Sequence, residues 1–163
     1  MDFRIGLGQD SHRFTEDSGK PLILGGVEFE DDLHFKAHSD GDVVIHALMN
    51  ALFSAIGGRS IGFYFSDTDE RFKGADSKEL LRECMTRVKG AGFQVNNVSI
   101  SIECKKPKFL KGNRDVAMQE SIARLLKVDR ERVGITATSG EELTPFGKGE
   151  GIQVFCTILL VKH

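Results

Sequence analysis

The chain has 163 residues, of which 40% are hydrophobic and 28% are charged, and its formal net charge at pH 7 is -2. These values are ordinary for one globular domain, which at this length buries a core without disulfide staples. The charge offers no support for a nucleic-acid partner, and the sequence has no apolar run of about 18 residues that would predict a membrane span. We therefore expect a single domain over residues 1–163 with no nucleic-acid partner and no membrane partner.

Signals for location favour the cytoplasm. The N-terminus carries Asp2 and Arg4 and lacks the apolar segment of a signal peptide. The cysteines Cys84, Cys104 and Cys156 are widely spaced and form no C-x-x-C pair, which is typical of free thiols in a reducing compartment. We expect a cytoplasmic protein of bacterial type, without a signal or transit peptide.

Residues 3–9 alternate between side-chain types and predict a first strand that runs into Asp10, Ser11 and His12. Because alternate residues of an extended chain share a face, Asp10 and His12 point in the same direction. Two side chains on the same face of a strand could act as a pair of metal ligands. A surface turn is the alternative for so short a pattern.

The strongest helix signal lies in residues 37–56. Its polar start offers candidate caps for the unpaired N–H groups of a helix, namely Ser39, Asp40 and Asp42. Gly57-Gly58 ends the helix, and one core face is expected from Val44, Leu48, Ala51, Leu52 and Ala55. His46 lies among these apolar residues and is a candidate metal ligand, with a hydrogen-bonded core histidine as the alternative.

The remainder of the chain alternates β-type and amphipathic helical segments. Residues 28–36 predict a short strand or an ordered loop, and the glycine-rich residues 139–151 predict a charged connection. Strands are predicted at residues 22–27, 93–104, 133–138 and 152–161, and helices begin near residues 75 and 113. Interspersed strands and helices favour an α/β (α+β) fold, a two-layer sandwich with a mixed β-sheet and helices on one face.

One group of residues has the chemistry of a zinc site. Catalytic zinc takes three nitrogen or oxygen ligands and keeps one position open, whereas structural zinc sites are usually closed and rich in cysteine. No cysteine of this chain has zinc-like spacing. The donors that fit the open pattern are Asp10, His12 and His46.

A second group suits a diphosphate. Thr138, Ser139 and Glu141 follow a predicted strand and offer hydroxyls and a carboxylate, which are the groups used around a diphosphate with Mg²⁺. Adjacent side chains of an extended segment point to opposite faces. We therefore expect Glu141 to face the diphosphate and Glu142 to face away.

Motifs from nearly the whole chain, taken in order, match those of a known enzyme family. They are Asp10-x-His12, Ala37-His38-Ser39-Asp40-Gly41-Asp42-x-x-x-His46-Ala47, Phe65-x-Asp67-Thr68-Asp69, Phe72-Lys73-Gly74-Ala75-Asp76-Ser77, Pro107-Lys108-x-Leu110, Thr138-x-x-Glu141 and Gly149-Glu150-Gly151. This set resembles the 2-C-methyl-D-erythritol 2,4-cyclodiphosphate synthases of the non-mevalonate isoprenoid pathway. The block that starts at Ala37 is the most specific part of the resemblance.

The resemblance implies a homotrimer with active sites between adjacent subunits. It implies the small-molecule substrate 4-diphosphocytidyl-2-C-methyl-D-erythritol 2-phosphate, whose 2-phosphate attacks its own β-phosphorus so that the cyclic diphosphate closes and CMP leaves. His38 and Ser139 match positions that stabilise the transition state. The resemblance assigns Mg²⁺ or Mn²⁺ to Glu141, and it assigns Zn²⁺ to Asp10, His12 and His46.

The resemblance also implies which residues bind the substrate. Those on the cytidine side are Cys104, Lys105, Lys106, Pro107, Lys108, Phe109, Leu110 and Thr138. Those on the methylerythritol phosphate side are Ser39, Ser60, Ile61, Gly62, Phe65, Ser66, Asp67, Thr68 and Asp69. Further positions around the substrate are Gly140, Pro145 and Lys148.

Several of these positions depart from the family pattern. Ser60 stands where Asp is usual and Lys148 where Arg is usual, so a charge-assisted hydrogen bond and a bidentate phosphate contact are lost. Ser139 and Gly140 replace more usual threonines, and Pro145 stands where Phe is common.

Two other functions stay open at this point. The departures at Ser60 and Lys148 favour a non-catalytic, nucleotide-binding regulatory trimer, against which the retained metal residues argue. The other alternative is a metal-dependent phosphohydrolase that uses water. Formation of a cyclic product together with CMP separates the three functions.

Overall fold

The structure, a computed structural model, describes residues 2–16, 20–35, 40–66, 68–72 and 74–162. The strands are β1 (Asp2–Thr15), β2 (Leu22–Leu24), β3 (Val27–Phe29), β4 (His34–Phe35), β5 (Gln94–Glu103), β6 (Val133–Thr138) and β7 (Gly151–Lys162). The helices are α1 (Val43–Ala55), α2 (Ile61–Tyr64), α3 (Ser77–Gly90), α4 (Arg114–Leu126) and α5 (Pro145–Lys148). Single 3-10 turns lie at Glu70–Phe72, Lys111–Asn113, Arg130–Arg132 and Gly140–Glu142. Among the described residues, no helix combines the length and apolar character needed to cross a membrane.

Five strands form a mixed sheet in the order β4-β1-β7-β5-β6. Strand β7 pairs antiparallel with β1 on one side and with β5 on the other, and β6 runs parallel to β5. Strands β2 and β3 form a separate antiparallel hairpin. The prediction of a mixed sheet combined with helices is therefore confirmed.

Helix α1 lies directly against β1 because the strand presents glycines to it. A Cβ atom on Gly6 would lie 1.9 Å from the carbonyl oxygen of Ala51, and one on Gly8 would lie 2.1 Å from that of Ala47. Any larger residue at either glycine would push the helix off the strand. This close approach brings His46 of α1 to the part of β1 that carries the predicted metal ligands.

The predicted core residues of α1 are buried, but the expectation of a single core face was too narrow. Val43, Ile45, Met49 and Phe53, which lie on other sides of the helix, are buried as well. The sheet covers one side of α1, while α3 and the β2–β3 hairpin region cover others. Burial by these distant segments leaves no trace in the periodicity of α1 itself.

The predicted connection over residues 139–151 is not extended at Glu141 and Glu142, where the sequence analysis treated it as an extended segment. The segment contains the 3-10 turn Gly140–Glu142 and then helix α5. Thr144 caps α5 because its hydroxyl accepts a hydrogen bond from the backbone N–H of Gly147 at 3.0 Å, and Pro145 suits the first helical position. Two short turns replace an extended chain because this cap and the proline favour a helix start.

The two faces of the sheet differ in burial. The alternate residues of β5 and β7 that face the helices are buried, for example Ile102 and Val154. The opposite face carries exposed apolar side chains, and Ile5 at 72% exposed is the most accessible of those on β1. Its apolar members on β1 and β7 are Phe3, Ile5, Leu7 and Phe155, which we call the outer sheet face.

Candidate active site

Three side chains from β1 and α1 converge at one point. Asp10 and His12 lie on the same face of β1, and His46 lies in the first turn of α1. Asp10 Oδ2 is 3.1 Å from His12 Nε2 and 3.1 Å from His46 Nδ1. One ligand atom from each of the three residues lies within 4.8 Å of the others, so these atoms could hold one metal ion. We call these residues the triad.

The second nitrogen of each triad histidine is held by the protein. His12 Nδ1–H donates to the carbonyl oxygen of Gly41 at 2.9 Å, and His46 Nε2–H donates to Ser77 Oγ at 3.0 Å. Each ring therefore keeps its other nitrogen, which faces Asp10, available for a metal. Outer hydrogen bonds of this kind set the tautomer and orientation of metal-binding histidines. By donor chemistry and by these partners, the triad fits zinc.

The charges of the triad are coupled. Burial would raise the pKa of Asp10, but hydrogen bonds from His12 and His46 outweigh it and hold that pKa well below its usual range. Burial would lower the pKa of His46, but the hydrogen bond to Asp10 and the charge of nearby carboxylates raise that pKa above 6.5. The ionised Asp10 therefore favours a positive charge beside it, which a bound cation would supply.

Asp42 caps α1, as predicted, and also anchors the hairpin. Its carboxylate accepts N–H groups from Ile45 at 3.0 Å, Gly25 at 2.9 Å and Gly26 at 2.6 Å. Burial raises the pKa of Asp42 to about 6, and the three backbone N–H groups oppose the rise. This buried carboxylate joins the β2–β3 turn to the start of α1, one turn before His46. Of the other two candidate caps, Asp40 instead accepts the backbone N–H of Asp42 at 3.2 Å. Ser39 and the predicted catalytic His38 lie outside the described residues.

A cavity of about 260 Å³ lies where residues 104–110, predicted to bind cytidine and called here the cytidine loop, meet the end of β6. Its lining includes the predicted residues Cys104, Pro107, Lys108, Phe109, Leu110, Thr138 and Ser139. Lys105 and Lys106 belong to the same loop and are not among the lining residues. Three further lining residues were not predicted from the sequence, because their helical and strand patterns do not indicate a cavity: Asp115, Ile135 and Ala137.

The predicted second metal ligand lies on a tight turn. Glu141 and Glu142 have positive φ angles of 45° and 62°, so they are not adjacent residues of an extended chain and the argument from opposite faces was wrong. Glu142 Oε1 forms an ion pair with Lys105 Nζ at 2.6 Å, and this hydrogen bond lowers the pKa of Glu142. Glu141 is exposed, and the triad does not include it. The two glutamates therefore differ in their partners.

Hydrogen bonds connect the segment that follows these glutamates to the start of the cytidine loop. The hydroxyl of Thr144 donates to Glu103 Oε1, and the backbone N–H of Lys105 donates to the carbonyl oxygen of Phe146 at 3.1 Å. Gly140 has a φ of +68°, and a Cβ atom there would meet Glu103. Gly140 departs from the family pattern, but glycine fits this position because it allows the positive φ angle and leaves room for the Glu103 side chain. Pro145 and Lys148 lie on α5, next to this junction.

The described residues predicted for the methylerythritol phosphate side between positions 60 and 66 lie in different surroundings: a cavity, a short helix and the core. Ser60 lines a second cavity of about 400 Å³ together with Asn50 and Arg59, which no sequence pattern had indicated as site residues. Asn50 Oδ1 accepts the backbone N–H of Ile61 at 3.0 Å, at the start of the helix that also carries Gly62. Phe65 is buried in an aromatic cluster with Phe53 and Phe72.

The loop after this helix is polar. Ser66 Oγ and Thr68 Oγ1 are 2.8 Å apart, and Asp69 forms an ion pair with Arg71. Asp67 lies outside the described residues. Nothing among these described contacts joins the loop to the triad, so its role stays a prediction.

Residues 3–161 match the YgbB family. A protein of Burkholderia cenocepacia named 2-C-methyl-D-erythritol 2,4-cyclodiphosphate synthase is 47% identical over 163 residues, which are 100% of this chain and 99% of that protein. The solved structure of the bifunctional IspDF from Campylobacter jejuni is similar with a TM-score of 0.91 and 37% identity, over 99% of this chain and 43% of that longer chain. A 2C-methyl-D-erythritol-2,4-cyclodiphosphate synthase solved in a CDP-bound form has a TM-score of 0.87 and 37% identity, over 97% of this chain and 100% of its own. The resemblance drawn from the motifs is thereby confirmed.

Proposed function

The chain belongs to the YgbB family, and from this membership we propose that it is a 2-C-methyl-D-erythritol 2,4-cyclodiphosphate synthase. Its substrate is 4-diphosphocytidyl-2-C-methyl-D-erythritol 2-phosphate. An oxygen of the 2-phosphate forms a bond to the β-phosphorus, and the bond from that phosphorus to the bridging oxygen breaks, so the bridging oxygen leaves with CMP. The observation that carries the proposal is the triad, in which each histidine keeps one nitrogen available beside the Asp10 carboxylate.

The protein groups act by binding and orientation. Both reacting groups are on one substrate molecule, so holding them in attack geometry can supply about 7–11 kcal/mol of the barrier reduction. Asp10, His12 and His46 would hold zinc, which supplies positive charge to the phosphoryl group as it transfers. Glu141 would hold Mg²⁺ or Mn²⁺ beside the diphosphate. His38 and Ser139 are proposed to stabilise the transition state.

The cavity of about 260 Å³ supports cytidine binding. Its lining comes from the loop and strand end assigned to cytidine, and the similar synthase was solved with CDP. The ion pair of Lys105 with Glu142 connects this loop to the turn that carries Glu141. The nucleotide and the second metal would therefore be bound by adjoining segments. The proposed location is the cytoplasm.

We propose a homotrimer because the core of one chain separates the two halves of the site. The sheet register aligns Asp10 with Val154, Val154 with Ile102, and Ile102 with Ala137 at the cytidine cavity. Three strand spacings place the ends of this row about 14 Å apart. Val154 and Ile102 between them are fully buried, so the space is filled by the core. A site shared between subunits avoids this obstacle.

The outer sheet face supports the same assembly. Exposed apolar side chains that follow two neighbouring strands are typical of a protein–protein contact. Here β1 and β7 are paired along their length and carry Phe3, Ile5, Leu7 and Phe155 on that face. A second and third copy of this chain would bury the face at the centre of a trimer.

We expect this assembly to depend on Ile5. Light scattering of the parent protein should give about three times the 18.0 kDa mass of one chain. Ile5→Glu should shift the protein to monomers and abolish most of the activity, because it places a charge in the apolar contact. Thr86→Glu, which adds the same charge on the exposed side of α3, is the control and should stay trimeric. A fully active monomer would refute the shared site.

The proposed reaction is tested by phosphorus NMR with the cytidyl substrate, zinc and Mg²⁺. The expected result is release of CMP matched by an equal amount of cyclic diphosphate. CMP release with open-chain phosphate products would instead identify a phosphohydrolase. Binding of CDP without any turnover would identify a non-catalytic nucleotide-binding module.

A further inference from the structure

Ser77 lies behind the triad and is not one of its members. It is the first residue of α3 and is fully buried. Its Oγ atom is 3.0 Å from His46 Nε2, and the same hydroxyl donates to Asp40 Oδ1. Asp40 Oδ2 also accepts the backbone N–H of Ser77 at 2.8 Å. One buried hydroxyl thus connects a carboxylate to a triad histidine.

The direction of these hydrogen bonds follows from the number of protons. A serine hydroxyl has a single proton to donate, and an ionised carboxylate only accepts. Because the proton of Ser77 points to Asp40, its oxygen accepts from His46, and His46 must carry its proton on Nε2. The nitrogen without a proton is then Nδ1, which lies 3.1 Å from Asp10 Oδ2 at the centre of the triad.

The two triad histidines are held in different ways. His12 Nδ1–H donates to the backbone carbonyl of Gly41, which no substitution removes. His46 depends on two side chains from other segments, one from α3 and one from the turn before α1. The orientation of His46 is therefore the part of the triad that side-chain identity controls.

We propose that Ser77 and Asp40 are positioning residues for the metal-binding nitrogen of His46. The carboxylate of Asp40 orients the hydroxyl of Ser77, and the hydroxyl selects the His46 tautomer whose Nδ1 faces the metal. This inference rests on the proposed zinc triad. It adds that zinc binding depends on Ser77 and Asp40, two residues that would not contact the metal.

The test is the zinc affinity of the full-length protein, measured by competition with a chromogenic chelator. Ser77→Ala should lower zinc affinity about 10- to 100-fold, the usual effect of removing such an outer partner. The visible absorption spectrum of the Co²⁺-substituted protein should change as well, because His46 loses its fixed orientation. Asp40→Asn should also weaken zinc binding, since an amide nitrogen facing Ser77 would turn the hydroxyl proton toward His46.

Asp76→Ala is the matched control. Asp76 caps α3 by accepting the N–H of Lys78 at 2.8 Å, and it is the residue before Ser77. The substitution should lower the melting temperature through the lost cap while leaving zinc affinity and the Co²⁺ spectrum unchanged. If Asp76→Ala weakens zinc binding as much as Ser77→Ala, the Ser77 contacts merely fasten α3 and the proposal is overturned.

The double variant Ser77→Ala/Asp40→Asn tests the order of the contacts. If Asp40 acts through Ser77, the double variant should bind zinc no more weakly than Ser77→Ala alone. If Ser77→Ala and Asp40→Asn each bind zinc as tightly as the parent protein does, the positioning role is overturned while the proposed metal site stands. Parent protein without zinc affinity would overturn the proposed metal site and this inference with it.

Discussion

His46→Ala is expected to remove bound zinc and turnover together. His46 supplies one of three ligand atoms that lie within 4.8 Å of one another. Two remaining donors, Asp10 and His12, do not make the three-ligand zinc site. We expect elemental analysis after exhaustive dialysis to show about one zinc ion per parent chain and none per variant chain, with activity reduced more than about 100-fold, beyond the loss typical of outer partners.

Leu48→Ala is the matched control on the same helix. Leu48 is fully buried in α1 and is not part of the triad. Its loss should lower the free energy of unfolding by about 2–5 kcal/mol through the cavity it leaves, with zinc content unchanged. If His46→Ala behaved like Leu48→Ala, with lower stability but normal zinc and rate, His46 would be a core histidine.

Glu141→Gln is expected to give the second large effect. A carboxylate beside a diphosphate repels it unless a divalent cation lies between them, so Glu141 should act through Mg²⁺ or Mn²⁺. Glutamine keeps the shape and removes the charge. We expect a loss of turnover of about 100-fold, which corresponds to about 3 kcal/mol of transition-state stabilisation. Magnesium titrations should show a higher requirement, with zinc content at the parent level.

Glu142→Gln is the control for that variant. Glu142 is exposed and pairs with Lys105, and exposed ion pairs contribute little. Its substitution should leave the magnesium requirement unchanged and at most alter the KM, because Lys105 belongs to the cytidine loop. Parent-like rate and metal dependence in Glu141→Gln would show that Glu141 does not hold the second metal.

Local patterns in the sequence were sufficient for much of the fold and for the placement of two of the three triad residues. The alternation over residues 133–138 predicted β6 with its exact bounds, and the apolar spacing after Asp42 predicted α1. Strand geometry alone puts Asp10 and His12 on one face. These features depend on neighbours a few residues apart, which a sequence displays directly. The pairing of His46 with them came from its chemistry and from the family motif.

The tertiary structure decided what distant segments do to one another. The glycines at Gly6 and Gly8 set how closely α1 approaches β1, and α3 buries a side of α1 that its own pattern does not mark. The turn at Glu141 and Glu142 depends on positive φ angles, which no periodicity predicts.

The hydrogen bonds that orient the triad also belong to the tertiary structure. Ser77 lies 31 positions after His46 in the chain, and Asp40 lies 37 before Ser77. The sequence by itself determined which side chains have metal-binding chemistry, because that chemistry belongs to the residue type. Only the packing of α3 against α1 decided which nitrogen of His46 faces Asp10, since a tautomer is chosen by the partner of the other nitrogen.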